Sequence, residues 1–76
     1  MNKLINILSE LRPEFDFESS QDFIIDGLLD SFDMITLVSE LDNIFSISID
    51  GTDIIPENFK NLKTIENLLV KKGIIL

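Results

Sequence analysis

The sequence predicts an all-α protein, a small four-helix bundle with three main helices, one short helix and a long first loop. Three observations predict it. Apolar residues recur at helical spacing in three stretches, divided from one another by Pro, Gly and capping residues. The one alternating run, Ser46-Ile47-Ser48-Ile49, is too short and too isolated to build a sheet, because a lone pair of strands is barely stable. The 76 residues are 45% hydrophobic, with Ile, Leu and six Phe dominant, enough for one apolar core in a single domain spanning 1–76. A chain of this size buries only roughly 60% of its unfolded surface, so its stability depends on that core.

The first helix follows from Leu4, Ile7, Leu8 and Leu11, which fall at i, i+3, i+4 and i+7, and Pro13 stops it. From Glu14 to Asp30 no single period holds. Phe15 and Phe17 alternate with acids, and Phe23, Ile24, Ile25, Leu28 and Leu29 then flank Gly27. So apolar a connection is expected to lie against the core, and a long connection in a compact domain is usually functional or disordered. The second helix is expected from about Asp30 or Ser31 to Phe45, capped by one of those two residues, with Asp33 in the first turn, where negative charge suits the helix dipole. Met34, Leu37, Val38, Leu41 and Phe45 share its core face; Phe32 and Ser39 point nearly the opposite way, and Ile35 lies on the border. Asp50-Gly51 signals a turn. Ile55-Pro56-Glu57-Asn58-Phe59 reads as a short helical turn with Pro56 at its start. Thr64 is expected to cap a last helix carrying Ile65, Leu68 and Leu69, with Lys71 and Lys72 in its final turn and Gly73 just beyond. The closing Ile74-Ile75-Leu76 is expected to pack on the core.

Composition excludes several kinds of chemistry. With no Cys there is neither a disulfide nor a thiolate metal site, and with no His a transition-metal centre would rest on carboxylates alone. No metal site is therefore expected. No uninterrupted apolar segment with a small-residue cleavage site opens the chain, and no run nears the ~20 residues that cross a bilayer. A cytoplasmic location without membrane insertion is the expectation. The formal net charge is −8, and its placement says more than its size. Lys3, Arg12, Lys60, Lys63, Lys71 and Lys72 lie toward the two ends, while twelve acids fall between Glu14 and Glu57 with no basic residue among them. Such a surface repels nucleic-acid phosphates and attracts electropositive proteins.

Ser31 lies inside that acidic block, in Gly27-Leu28-Leu29-Asp30-Ser31-Phe32-Asp33. Taken locally, Asp30-Ser31 is a helix cap. A serine with no His, Cys or Tyr in the chain to activate it is a poor nucleophile of its own, though another enzyme can modify it. The wider pattern resembles the acyl carrier protein family over nearly the whole chain. Asp30-Ser31-Phe32 is similar to the family's Asp-Ser-Leu or Asp-Ser-Phe attachment motif. Leu37, Val38, Leu41 and Phe45 follow at family-like spacing, then Pro56-Glu57-Asn58-Phe59 and Thr64-Ile65-Glu66-Asn67-Leu68-Leu69. Leu29 before Asp30, Phe32 after Ser31 and a second helix with only Glu40 and Asp42 as acids beyond Asp33 look more like D-alanyl, peptidyl or stand-alone carriers than fatty-acid-synthesis carriers.

The resemblance implies a bundle of acyl-carrier type and a covalent 4′-phosphopantetheine, taken from coenzyme A and joined to Ser31 Oγ by a phosphopantetheinyl transferase. The arm's thiol would hold an acyl or aminoacyl group as a thioester, loaded by an acyl- or aminoacyl-ligase and passed to an acyltransferase or condensing enzyme. The chain would act as a monomer. Asp30, Phe32, Asp33, Ile35, Ser39, Glu40 and Asp42 are the expected partner-recognition residues. Catalysis by the chain itself is not expected, since no carboxylate is singled out as a general acid or base. Asp50-Gly51-Thr52-Asp53 lacks the ligand ladder of a calcium loop and reads as a turn. The alternative is an acidic protein–protein interaction adaptor with no prosthetic group.

Overall fold

In the computed structural model, residues 2–75 are described, and they fold into four α-helices and one short 3₁₀ turn, with no strand among them. Helix α1 spans Asn2–Leu11. It ends where Pro13 forbids continuation, the Arg12 N–H still reaching the Leu8 carbonyl at 2.9 Å. Leu4, Ile7 and Leu8 are buried on one face, as the spacing predicts. Helix α2 runs Ser31–Phe45 and packs on α1; α3, Pro56–Phe59, and α4, Leu62–Lys71, pack on each other. Pro56 stands at the first position of α3, where its missing N–H costs nothing.

The long connection lies on the core, as its composition predicts. Phe17, Phe23 and Leu29 are buried, and Phe17 meets Phe23 edge to face with ring centroids 5.1 Å apart. Gly27, at φ +78°, lets the chain double back so that Leu28 and Leu29 both donate to the Phe23 carbonyl, at 2.8 and 3.1 Å. The segment is tied to the far half of the molecule as well. The Phe23 N–H donates to the carbonyl of Lys60, and Asn61 Nδ2 donates to the Gln21 carbonyl at 3.4 Å.

After α2 the chain turns through Ser46, a left-handed residue at φ 54°, rather than entering a strand. Ile49 then returns to the core, its N–H held by Asp42 Oδ1 at 3.0 Å. The Asp50-Gly51 signal becomes the 3₁₀ turn Gly51–Asp53.

Three expectations need correction. Phe45 is half-buried at the end of α2, where Lys3 Nζ stands 5.1 Å from its ring centroid, so it closes the edge of the core. The cap of α4 is Asn61: its Oδ1 accepts the Thr64 N–H at 2.9 Å, and Thr64 Oγ1 answers by accepting the Asn61 N–H at 3.2 Å. Thr64 is therefore the third helical residue, and the helix starts a turn earlier than its apolar pattern suggests. At the chain end Ile74 packs against the core but Ile75 is 97% exposed; Leu76 lies outside the described residues.

Candidate functional site

The start of α2 is built by two acids three residues apart. Asp30, extended at φ −110° and ψ −175°, is the N-cap; its Oδ1 accepts the Asp33 N–H at 2.8 Å. Asp33 Oδ2 reaches back to accept the Asp30 N–H at 3.2 Å, which completes a capping box with Asp in place of the usual Glu or Gln. Between them Ser31 occupies the first helical position, exposed to solvent. Because Asp30 supplies the capping oxygen, the helix start makes no demand on the serine hydroxyl. Helix geometry also leaves the N–H groups of the first two helical residues without intrahelical partners, at the positive end of the dipole.

Asp33 is not on the surface. It is 4% exposed, and Arg12 grips its carboxylate from the end of α1. Arg12 Nε lies 3.2 Å from each oxygen, and Nη2 donates to Oδ2 at 3.0 Å. Burial alone pushes the Asp33 carboxyl upward. The Arg12 and Asp30 hydrogen bonds and the nearby guanidinium charge outweigh it and hold the group below the usual carboxylate range. The Asp33 hydrogen bond and charge raise the Arg12 pKa in turn. The pairing corrects the expectation that Asp33 faces a partner: its oxygens are committed within the fold. It was not readable in the sequence, where 21 residues separate the two; the Asp-x-x-Asp spacing of a capping box was the available signal.

The other candidates divide between surface and fold. Asp30, Phe32, Ile35, Ser39 and Glu40 are exposed, Phe32 to 75% and Ile35 to 58% of their surface. Two large apolar side chains thus stand in water within one turn of Ser31. Glu40 also borders a cleft of about 310 Å³ between α1 and α2, lined with Ile7, Glu10, Leu11 and Thr36. Asp42 is half-buried, and its carboxylate stitches the turn after α2 by accepting the Ile49 N–H, so its first task is structural.

Around Asp50-Gly51-Thr52-Asp53, Lys72 Nζ lies 2.8 Å from Asp53 Oδ2 and 3.5 Å from Asp50 Oδ2. The Lys72 hydrogen bond is the largest influence on the Asp53 carboxyl and holds it below its usual range. An ammonium stands where a calcium ion would need these acids. Among the described residues no group of three or more acids gathers as a metal cage. No described helix is long and apolar enough to cross a membrane. No family model matches the chain, and neither a curated protein nor a solved structure does.

Proposed function

We propose that the chain is a carrier protein that bears 4′-phosphopantetheine on Ser31 and presents an acyl or aminoacyl group to partner enzymes. The observation that carries this reading is the division of labour at the start of α2: Asp30 caps the helix, and the Ser31 hydroxyl next to it is exposed and uncommitted to the cap. The residues fit the group. A phosphodiester on Ser31 Oγ would lie beside the first-turn N–H groups, a favourable setting for an anion. When bound, the arm supplies the thiol that this chain lacks, and that thiol carries the cargo as a thioester.

The chain's own residues do the rest. Asp30 and Asp33 keep the first turn formed, so the hydroxyl is presented from a rigid element. Phe32 and Ile35 offer apolar contacts beside the anchor, and Asp30 and Glu40 offer charge to electropositive partners. Those partners are a phosphopantetheinyl transferase, a loading ligase, and an acyltransferase or condensing enzyme. The departures at Leu29 and Phe32 favour the D-alanyl, peptidyl or stand-alone type.

The test is to incubate the purified protein with coenzyme A and a promiscuous phosphopantetheinyl transferase, then measure its mass. Wild type is expected to gain one phosphopantetheine and Ser31→Ala none, both with unchanged helical circular dichroism. A folded wild type that gains no mass overturns the reading in favour of the acidic adaptor.

A further inference from the structure

We infer that Arg12 is a positioning residue for Ser31: from the end of α1 it clamps the carboxylate that completes the capping box, and so fixes the turn that presents the hydroxyl. The inference rests on the carrier reading and extends it to a residue outside α2.

The chain of contacts is short. Ser31 lies between the two partners of the box, and the Asp33 carboxylate is common to both sets of bonds. Its Oδ2 receives the Asp30 N–H at 3.2 Å and Arg12 Nη2 at 3.0 Å, while Arg12 Nε lies 3.2 Å from both oxygens. An aspartate at this position otherwise turns about two side-chain torsions; a guanidinium fork across both oxygens holds it in one rotamer. Burial raises the stakes. Without Arg12 the 4%-exposed carboxylate would keep its charge away from water, and the relief open to it is to swing outward and release the Asp30 N–H.

The charged neighbours of the pair are acidic and cannot replace Arg12. Glu14 Oε2 lies 3.4 Å from Arg12 Nη1, and Asp30 is the other member of the box. Lys3 stands over the Phe45 ring and Lys72 on Asp53, each engaged elsewhere. The pair also joins the two ends of the long connection, so α1 and the serine-bearing turn of α2 are set as one unit.

The experiment uses the whole chain, coenzyme A and a promiscuous phosphopantetheinyl transferase, with Arg12→Gln, Arg12→Lys and a remote core variant, Ile65→Val, as control. In Arg12→Gln the kcat of modification is expected to fall about tenfold with little change in KM, since the docking surface stays and only the presentation of the hydroxyl loosens. The Asp30 amide should exchange its hydrogen about tenfold faster in the same variant. Arg12→Lys keeps the charge but not the planar fork, and should recover part of both effects. Ile65→Val should melt earlier yet be modified at the wild-type rate. Wild-type kinetics and exchange in Arg12→Gln overturn the inference, as does an equal loss of kcat in Ile65→Val. Should Arg12→Gln fail to fold, Arg12→Lys decides: an intermediate kcat and faster Asp30 exchange support the clamp, and wild-type values overturn it. A folded wild type that gains no mass overturns both this inference and the carrier reading, whereas a modified wild type with an unaffected Arg12→Gln overturns this one alone.

Discussion

Asp30 and Ser31 are neighbours with opposite duties. The first has its side chain in the helix cap; the second stands in solvent at the first helical position. Their alanine variants should therefore separate. Asp30→Ala is expected to destabilise the protein by about 0.5–2 kcal/mol, the usual cost of a lost N-cap. Ser31→Ala should stay within about 0.5 kcal/mol of wild type, as an exposed position without a structural bond does. Urea unfolding followed by circular dichroism measures both, and equal losses would mean that Ser31 shares the cap. The tripeptide Asp-Ser-Phe was legible as a helix start, with two possible caps left open. What resolved it is Asp30 Oδ1 accepting the Asp33 N–H, with Asp33 Oδ2 answering on the Asp30 N–H; both bonds depend on rotamers and not on spacing alone. Asp42 was opaque for a similar reason: its acceptor role depends on where the chain turns after Ser46.

At the level of elements, helix periodicity was a reliable guide wherever one face is buried. The α1 pattern and the α2 stripe through Leu37 and Leu41 are both found in the core. Periodicity failed at the first turn of α4, where Asn61 and Leu62 precede the repeating apolar residues, and apolar character alone misled at Ile75, which is exposed. The long connection could be read as core-associated from its phenylalanines, though not which of them anchors it. In the structure that anchor is Phe23. It is fully buried, meets Phe17 edge to face, and its carbonyl receives the N–H groups of both Leu28 and Leu29. Phe23→Ala is expected to cost about 3–5 kcal/mol, from lost burial and the cavity left behind. For a domain whose whole stability is of order 5–15 kcal/mol, that loss is a large share. A shift of the urea midpoint no greater than that of an exposed substitution such as Ile25→Ala would show that the connection is not held by its core residues.

At the scale of the whole molecule, ion pairs made by Arg12 and Lys72 tie distant parts of the chain. Arg12–Asp33 joins α1 to α2, and Lys72–Asp53 joins the end of α4 to the 3₁₀ turn. In both, the carboxylate titrates below its ordinary range and the cation above. For the acids, the stabilisation is fully present above the unfolded pKa of about 3.9 and is lost as pH falls through the lower folded value. For Lys72 the sign is reversed: its share is present below about pH 10.4 and disappears as pH rises through the raised folded value. Asp53→Asn should therefore melt below wild type at pH 7, and the gap in Tm should close as the pH is taken from about 5 to 2. A gap that stays constant over that range would mean Asp53 is not paired in solution. Relief of repulsion among the acids acts in the other direction on mild acidification, and comparing variant with wild type at each pH removes it.

The backbone bond from Phe23 to the carbonyl of Lys60 sets an order on biosynthesis. A nascent chain that has emerged only as far as α3 already contains Ser31 but not the acceptor that moors the peptide leading to it. The long connection is thus moored on both sides only once the chain has been made past α3, so the peptide leading into the second helix settles late, after residues far downstream of it exist.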